Sequence, residues 1–478
     1  MIDGTSGLTR EERRTRTMGG VRPLSGGTLA VLVAIPLILG IVGGGAITFW
    51  LGNQGPEPAG SGSPVTFELR ALTTGFVGVG GSIDGVKNPS LEVGVGDSVT
   101  ITVTNGENIL HNLVVEGYGV QSADVRSLNQ VVSVRFVADE EGTFRYFCVY
   151  HISTMIGDLV VGAGGEDVPG PARSVDVGYI ARSPTDLPAP LARNVPATVD
   201  IYLEAKEVVA ELETGTTFTY WTFNGKVPGP FFRVRVGDTV IVHFRNNESS
   251  TMMHSVDFHA VTGPGGGMAA TESMPGEEAS FSFKALVPGL FVYHCASAHI
   301  PSHISMGMYG LILVEPEGGL PAVDHEFYVM QGDIYTKWPA GTKGHQEFDA
   351  SKLLDENPTY VVFNGRFAAL TGDHTLNATV NDTLRIYFGV GGPNLISSFH
   401  VIGEIFDSVY NLGDLMSAPL QGVQTVLVPP GGAVVVDFGV QVPGNYLLVD
   451  HSLVRTIDKG SVGVLKVDGP PDATIFNP

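Results

Sequence analysis

The stretch Val292–Gly310, VYHCASAHIPSHISMGMYG, constrains the chain more than any other. It packs a thiol (Cys295), three imidazoles (His294, His299, His303) and two thioethers (Met306, Met308) into one short segment. Cys295, His303 and Met308 have the spacing of a loop that returns to a single soft metal. A thiolate, two imidazoles and a weak thioether make a blue-copper electron-transfer site. His254, upstream in HSVDFHA, can supply the second imidazole. His294 directly precedes the thiol, and neighbouring side chains on a strand point to opposite faces. His294 therefore faces away from the Cys295 metal, where His259 can join it at a second centre. The competing reading is a free Cys buried as a small hydrophobe in a core. Against it, the chain has only two Cys, and each is followed closely by His and then Met.

A loop of this kind needs a β-framework, and the rest of the chain supplies one. The chain has 478 residues, enough for about three or four domains. Its many short runs rich in Val, Phe and Thr, with 63 Gly and 30 Pro, indicate an all-β chain. Two Cys in so large a chain are not a disulfide framework. The net charge of −22 disfavours nucleic acid and anionic lipid as partners and suits solubility or a cationic protein partner.

Three similar units follow one another. LEVGVGDSVTITVTN (from Leu91), FRVRVGDTVIVHFRNN (from Phe232) and LNATVNDTLRIYFG (from Leu376) share a strand-and-turn pattern. Each is followed by a His (His111, His254, His400) and then by a late strand opened by Gly. Cys148 lies six residues after Gly142, and Cys295 six after Gly289. Six after Gly444 is Asp450, so the third unit has lost its thiolate. FNGKVPGP (223–230) and FNGRFAALTG (363–372) also echo each other. The first unit carries His111, Cys148, His151 and Met155, a second compact blue-copper set.

The His259–His294 centre wants a third nitrogen and an open position, as catalytic metal sites do. Asp257 stands two residues before His259 on the same strand face and can pass protons to a bound ligand, or merely orient a ligand His. His400 and His451 belong to the unit without a thiolate; they serve the open metal or are ordinary surface histidines. His299 and Met306 read as non-ligands that line the loop.

The N-terminus has its own character. Residues 1–27 carry Arg10, Arg13, Arg14, Arg16 and Arg22 and read as a cytoplasmic tail. Residues 28–52, TLAVLVAIPLILGIVGGGAITFWLG, hold no charge and are long enough to span a bilayer. The Arg cluster ahead of them orients the tail inward and the remainder outward. A cleaved signal peptide would have a shorter apolar run and a small-residue cleavage site. A twin-arginine signal at Arg13–Arg14 fits poorly with the residues after that pair. Residues 53–64 form a flexible linker.

HSVDFHA, YHCASAHIPSHISMGM, FNGRFAALTGD, FHVIG and DHSL occur in the order found in the copper-containing nitrite reductases, and residues 195–470 resemble that family. The resemblance implies two cupredoxin sandwiches per chain; with the plastocyanin-like first unit and the apolar segment 28–52, an anchor less usual in the family, the expectation is an all-β chain of three tandem cupredoxin-like Greek-key β-sandwiches after one N-terminal transmembrane helix. The expected domains are 65–162, a cupredoxin with a type 1 copper, a 163–197 linker, and reductase domains 198–316 and 322–470. It implies type 1 copper at His254, Cys295, His303 and Met308, and another at His111, Cys148, His151 and Met155 in the plastocyanin-like first unit. Type 2 copper falls to His259, His294 and His451, the last from the neighbouring subunit of a homotrimer. Cofactors are thus two type 1 coppers and one type 2 copper per chain. Asp257 and His400 pass protons, and Ile402 shapes the pocket. The implied reaction is dissimilatory one-electron reduction of nitrite to nitric oxide and water, with a cytochrome c or cupredoxin as donor. The implied location is the cell membrane, single-pass, with the catalytic domains outside the cytoplasm. The Cys295–His303 loop is one residue shorter than in many members, and His299 is unusual there. Two rivals remain. A laccase-like multicopper oxidase needs His-x-His pairs, and none occurs here. A non-catalytic copper carrier leaves His259, His294, Asp257, His400 and His451 without a role.

Overall fold

A computed structural model describes residues 63–152, 154–162 and 169–477. The expected tail (1–27), membrane helix (28–52) and nearly all of the 53–64 linker lie outside the described residues. Among the described residues no helix is long and apolar enough to cross a membrane. The described residues belong to one compact unit.

The all-β expectation holds. Among the described residues six sheets pack as three face-to-face pairs, within 64–161, 198–346 and 325–468. In Asp97–Asn105 (DSVTITVTN), Val99, Ile101 and Val103 alternate inward with half-exposed residues between them. In Thr239–Asn246 the inward residues are Val240, Val242 and Phe244. This period of two is what a half-buried strand requires. The three pairs share a topology. An opening strand runs parallel to the patterned one in each: Pro64–Leu72 with Asp97–Asn105, Thr198–Glu213 with Thr239–Asn246, and His325–Ile334 with Thr383–Gly392.

Thr383–Gly392 (TLRIYFGVGG) is buried along nearly its whole length. Leu384, Ile386, Phe388 and Val390 enter the core of the third pair. Tyr387, on the opposite face, enters the core of the second. A strand covered on both faces reads as a continuous apolar run. The division at 316/322 is also bridged, because Gly344–Gln346 runs parallel to Thr216–Phe223 and adds an edge strand to the second pair.

Each pair ends in a hairpin whose loop lies at the same pole. Gly142–Phe147 returns as Ile156–Val161, and Gly289–His294 returns as Tyr309–Glu315. The Cys148 N–H donates to the Met155 carbonyl at 3.0 Å, and the Cys295 N–H to the Met308 carbonyl at 3.1 Å. These bonds bring the thiol and thioether residues of each loop back together. In the third pair the loop between Gly444–Asp450 and Val462–Asp468 is the helix Leu453–Lys459. Asp450, where a thiol would stand, is fully buried and paired with Arg455 Nη1 at 2.9 Å. Its Oδ1 accepts the N–H groups of Ser398 (3.0 Å) and Ser452 (3.1 Å). Removing one partner of such a pair strands the other charge. Arg455→Ala is expected to destabilise the protein by about 2–3 kcal/mol, the lower end for a buried pair because Arg455 is partly exposed. Calorimetric unfolding of the two proteins checks this.

Candidate metal centres

The thiolate centre of the second pair sits at the end of Gly289–His294. Cys295 Sγ lies 3.3 Å from His303 Nδ1 and 3.9 Å from His254 Nδ1, and the two Nδ1 atoms are 3.2 Å apart. Both imidazoles turn the same nitrogen to the sulfur. All three side chains are buried, as is Met308. Trp221 packs on both rings, with centroids 4.7 Å from His303 and 5.5 Å from His254. Burial pushes His303 down to about 4, so its ring is neutral and keeps a lone pair. Burial alone would push the Cys295 thiol up. Interaction with His254 and the backbone N–H groups of Ser297 and Ser255 outweighs burial and holds it below the ordinary value. A thiolate with two imidazoles that turn the same nitrogen to it is the donor set that a soft metal takes.

The first pair repeats this arrangement. Cys148 Sγ lies 3.7 Å from His151 Nδ1 and 4.0 Å from His111 Nδ1. The N–H after the first histidine points at the sulfur in both centres, Asn112 at 3.5 Å and Ser255 at 3.4 Å. Burial pushes His151 down to about 4 and raises the Cys148 thiol, with backbone N–H groups of Asn112, Tyr150 and His151 partly offsetting the latter.

A third cluster lies on the other face of the Cys295 strand. Asp257 stands directly across from His294 in the pairing of Asp257–Phe258 with Gly289–His294. His259 Nε2 and His294 Nε2 are 3.1 Å apart, and an Asp257 carboxylate oxygen lies within 4.8 Å of both. His294 Nδ1 is 2.9 Å from the Cys295 carbonyl, which can only accept. The ring proton is therefore on Nδ1, and the Nε2 lone pair is directed at His259. The groups crowded around its ring, then the neighbouring His294, hold His259 below its ordinary value although the residue is open to solvent. Among the described residues, three groups of side chains thus lie close enough together to hold a metal ion.

His400 and His451 lie apart from this cluster, beside each other with ring centroids 5.6 Å apart. His400 Nδ1 donates to the Gln424 carbonyl at 2.6 Å. Strand register makes His400 the third-pair counterpart of Asp257, since it pairs with Val449, five residues after Gly444, as His294 is five after Gly289. Ile402 ends the same strand and is 42% exposed. His299 bonds Ser302 Oγ at 2.9 Å and joins none of the ligand clusters, and Met306 is buried in the core of the second pair.

Gly266 is a contributor that no motif marks. A Cβ there would lie 1.7 Å from Asp257 Oδ1, so the loop can close over this carboxylate only as glycine. The run GPGGG at 263–267 is the one signal of it that the sequence holds.

Residues 204–319 match a multicopper oxidase family profile. The copper-containing nitrite reductase of Neisseria meningitidis serogroup A is 53% identical over 291 residues, covering 61% of this chain and 75% of that protein. The chain belongs to the copper-containing nitrite reductase family. The Pseudomonas chlororaphis copper-containing nitrite reductase is 34% identical over 288 residues, covering 56% of this chain and 78% of its own. The copper nitrite reductase structure from Nitrosomonas europaea superposes with a TM-score of 0.51 at 34% identity, covering 57% of this chain and 95% of its own. Within a nitrite reductase of this family the three clusters predict separable metals. After reconstitution with copper, His259→Ala is expected to lose one metal equivalent per chain. The visible absorption of both thiolate centres should stay, as metal analysis and absorption spectra will show.

Proposed function

We propose that this protein is a membrane-anchored nitrite reductase, converting nitrite with one electron and two protons to nitric oxide and water at the His259–His294 centre. The carrying observation is that this centre, with Asp257 beside it, is joined to a thiolate centre through the single peptide bond between His294 and Cys295. Copper held at both places would supply one-electron chemistry and an open position for nitrite. The protein's own residues do the rest. Asp257 delivers protons together with His400 of the partner subunit, which stands beside the partner's His451, and positioned acids of this kind contribute ~10²–10⁴-fold. Gly266 leaves room for the Asp257 carboxylate. Ile402 of the partner subunit, on the same strand as the partner's His400, borders the substrate pocket.

The third nitrogen at this centre is His451 of the partner subunit, in a homotrimer. Two facts support this reading. His451 is absent from the ligand cluster of its own chain, and the third pair has no thiolate of its own to serve. Head-to-tail contacts that close make rings, in which one chain's second pair meets the next chain's third.

The first pair is an electron relay that carries its own type 1 copper at His111, Cys148, His151 and Met155. Its Val149 and Tyr150 border a cavity of about 50 Å³ together with Met252, Met253, Ala298 and His303. Ile152 packs against the core of the second pair, and Asp158 meets Lys337 at 3.9 Å. The His151 side of one centre thus abuts the His303 side of the other within one chain. A cytochrome c or cupredoxin would feed the first centre. Residues 28–52 would anchor the chain, leaving the catalytic pairs outside the cytoplasm.

Nitrite-dependent nitric oxide formation by the full-length protein tests the reading directly. Mixing tests the shared site. His259→Ala and His451→Ala homotrimers should each be inactive, while verified mixed trimers should regain activity; mixtures that stay inactive rule out the shared site. Cys148→Ser should bleach one blue centre and slow turnover with a protein donor at least tenfold. A small reductant that reaches the second pair directly should still drive it, as stopped-flow reduction will show.

A further inference from the structure

Both thiolate centres carry a glutamate behind the first imidazole, on the side away from the sulfur. Glu107 Oε1 is 3.1 Å from His111 Nε2. Glu207 Oε1 is 3.4 Å from His254 Nε2, an ion-pair distance without hydrogen-bond geometry, and no group among the described residues makes a hydrogen bond to that buried nitrogen. In each ring Nδ1 faces the thiol and Nε2 faces the carboxylate.

The two glutamates do not occupy equivalent positions. In the parallel pairing of each opening strand, Asn105 stands opposite Ala71 and Asn246 opposite Ala205. Counting on by two, Glu107 matches Glu248 and Thr73 matches Glu207. Glu248 points to solvent and pairs with Arg245 at 2.7 Å. In the first pair, Glu107 instead turns inward and accepts the Thr73 N–H. In the second, the residue at the Thr73 position has become the carboxylate. Its Oε1 accepts the N–H groups of Thr251 (2.8 Å) and Met252 (2.9 Å), and its Oε2 accepts Thr251 Oγ1 (2.8 Å). The loops account for the exchange. Asn105 bonds the Ile109 carbonyl two residues before His111, and Asn246 bonds the Met252 carbonyl two before His254. The second loop is longer by two residues and carries Glu248 out of reach. The same contact is thus built from two different backbone positions. The third pair has Ser397 where His254 stands, and its buried hydroxyl has no hydrogen-bond partner among the described residues.

We propose that Glu107 and Glu207 are positioning residues that lock the first imidazole of each blue centre with its proton on Nε2 and its lone pair on Nδ1, and that their charge lowers the reduction potential there. A carboxylate on the far nitrogen of a ligand imidazole fixes its tautomer and raises its basicity. A more basic ligand favours the oxidised, more highly charged metal. The inference rests on the copper reading above.

The test uses full-length, copper-reconstituted protein carrying Glu107→Gln, Glu207→Gln or Glu248→Gln. Glutamine keeps an acceptor but removes the charge. Redox titration of the blue absorption is done with Cys148→Ser or Cys295→Ser also present, so that one centre is read at a time. Glu207→Gln should shift only the second-pair centre to more positive potential, and Glu107→Gln only the first. Glu248→Gln should shift neither. Unchanged potentials, or equal shifts from all three, overturn the proposal. Should a Gln variant lose copper, metal titration and calorimetry of the copper-free protein decide. At least tenfold weaker copper binding at unchanged melting temperature supports positioning, and a melting temperature that falls in parallel overturns it. Parent protein without blue absorption would instead overturn the copper reading itself.

Discussion

Alternation along one β-strand organises the catalytic half of this protein. At the end of Gly289–His294 the chain offers His294 to one side and Cys295 to the other. Two candidate ligand groups with different chemistry therefore share a backbone, at a separation set by covalent geometry rather than by packing. Everything else at this pole completes one side or the other. The return strand Tyr309–Glu315 brings Met308 back to Cys295, and Asp257–Phe258 brings Asp257 and, just beyond it, His259 to His294. The two environments differ accordingly: Cys295 is fully buried beside two imidazoles on which Trp221 packs, whereas His259 is exposed in the single chain.

Site residues that lie close together along the chain are legible from the sequence alone. The order Cys295, His303, Met308 on one loop, and His254, Asp257, His259 on another, carries the sites because each group lies on a single hairpin or strand. The loss of the thiolate at Asp450 is visible from spacing, but its partner Arg455 is not, since ion pairing across a helical turn leaves no periodic mark. Glu207 lies on the opening strand, far in sequence from His254. Only the parallel pairing of Thr198–Glu213 with Thr239–Asn246 makes them neighbours. Gly266 is hidden for a similar reason: a glycine run signals a turn, not the carboxylate that the turn covers. The strand Gly344–Gln346 is too short for an alternating pattern, and nothing in its composition says that it joins the preceding sheet.

Repetition in this chain preserves geometry more strictly than residues. Three sheet pairs keep the same parallel opening, the same late hairpin and the same pole. What occupies that pole has diverged: a small thiolate loop in the first, a longer one with a short helix in the second, and an ion pair under a helix in the third. The glutamate behind the first imidazole shows the same principle at the scale of one contact. Its place in space persists while its place in the sequence moves.

The strand Thr383–Gly392 has one face in each of two cores. It works as a shared wall, and a shared wall has no hinge. The second and third pairs of one chain therefore hold a constant angle to each other. A closed ring of such chains would inherit that angle at every subunit, held by Leu384, Ile386 and Phe388 on one side and Tyr387 on the other.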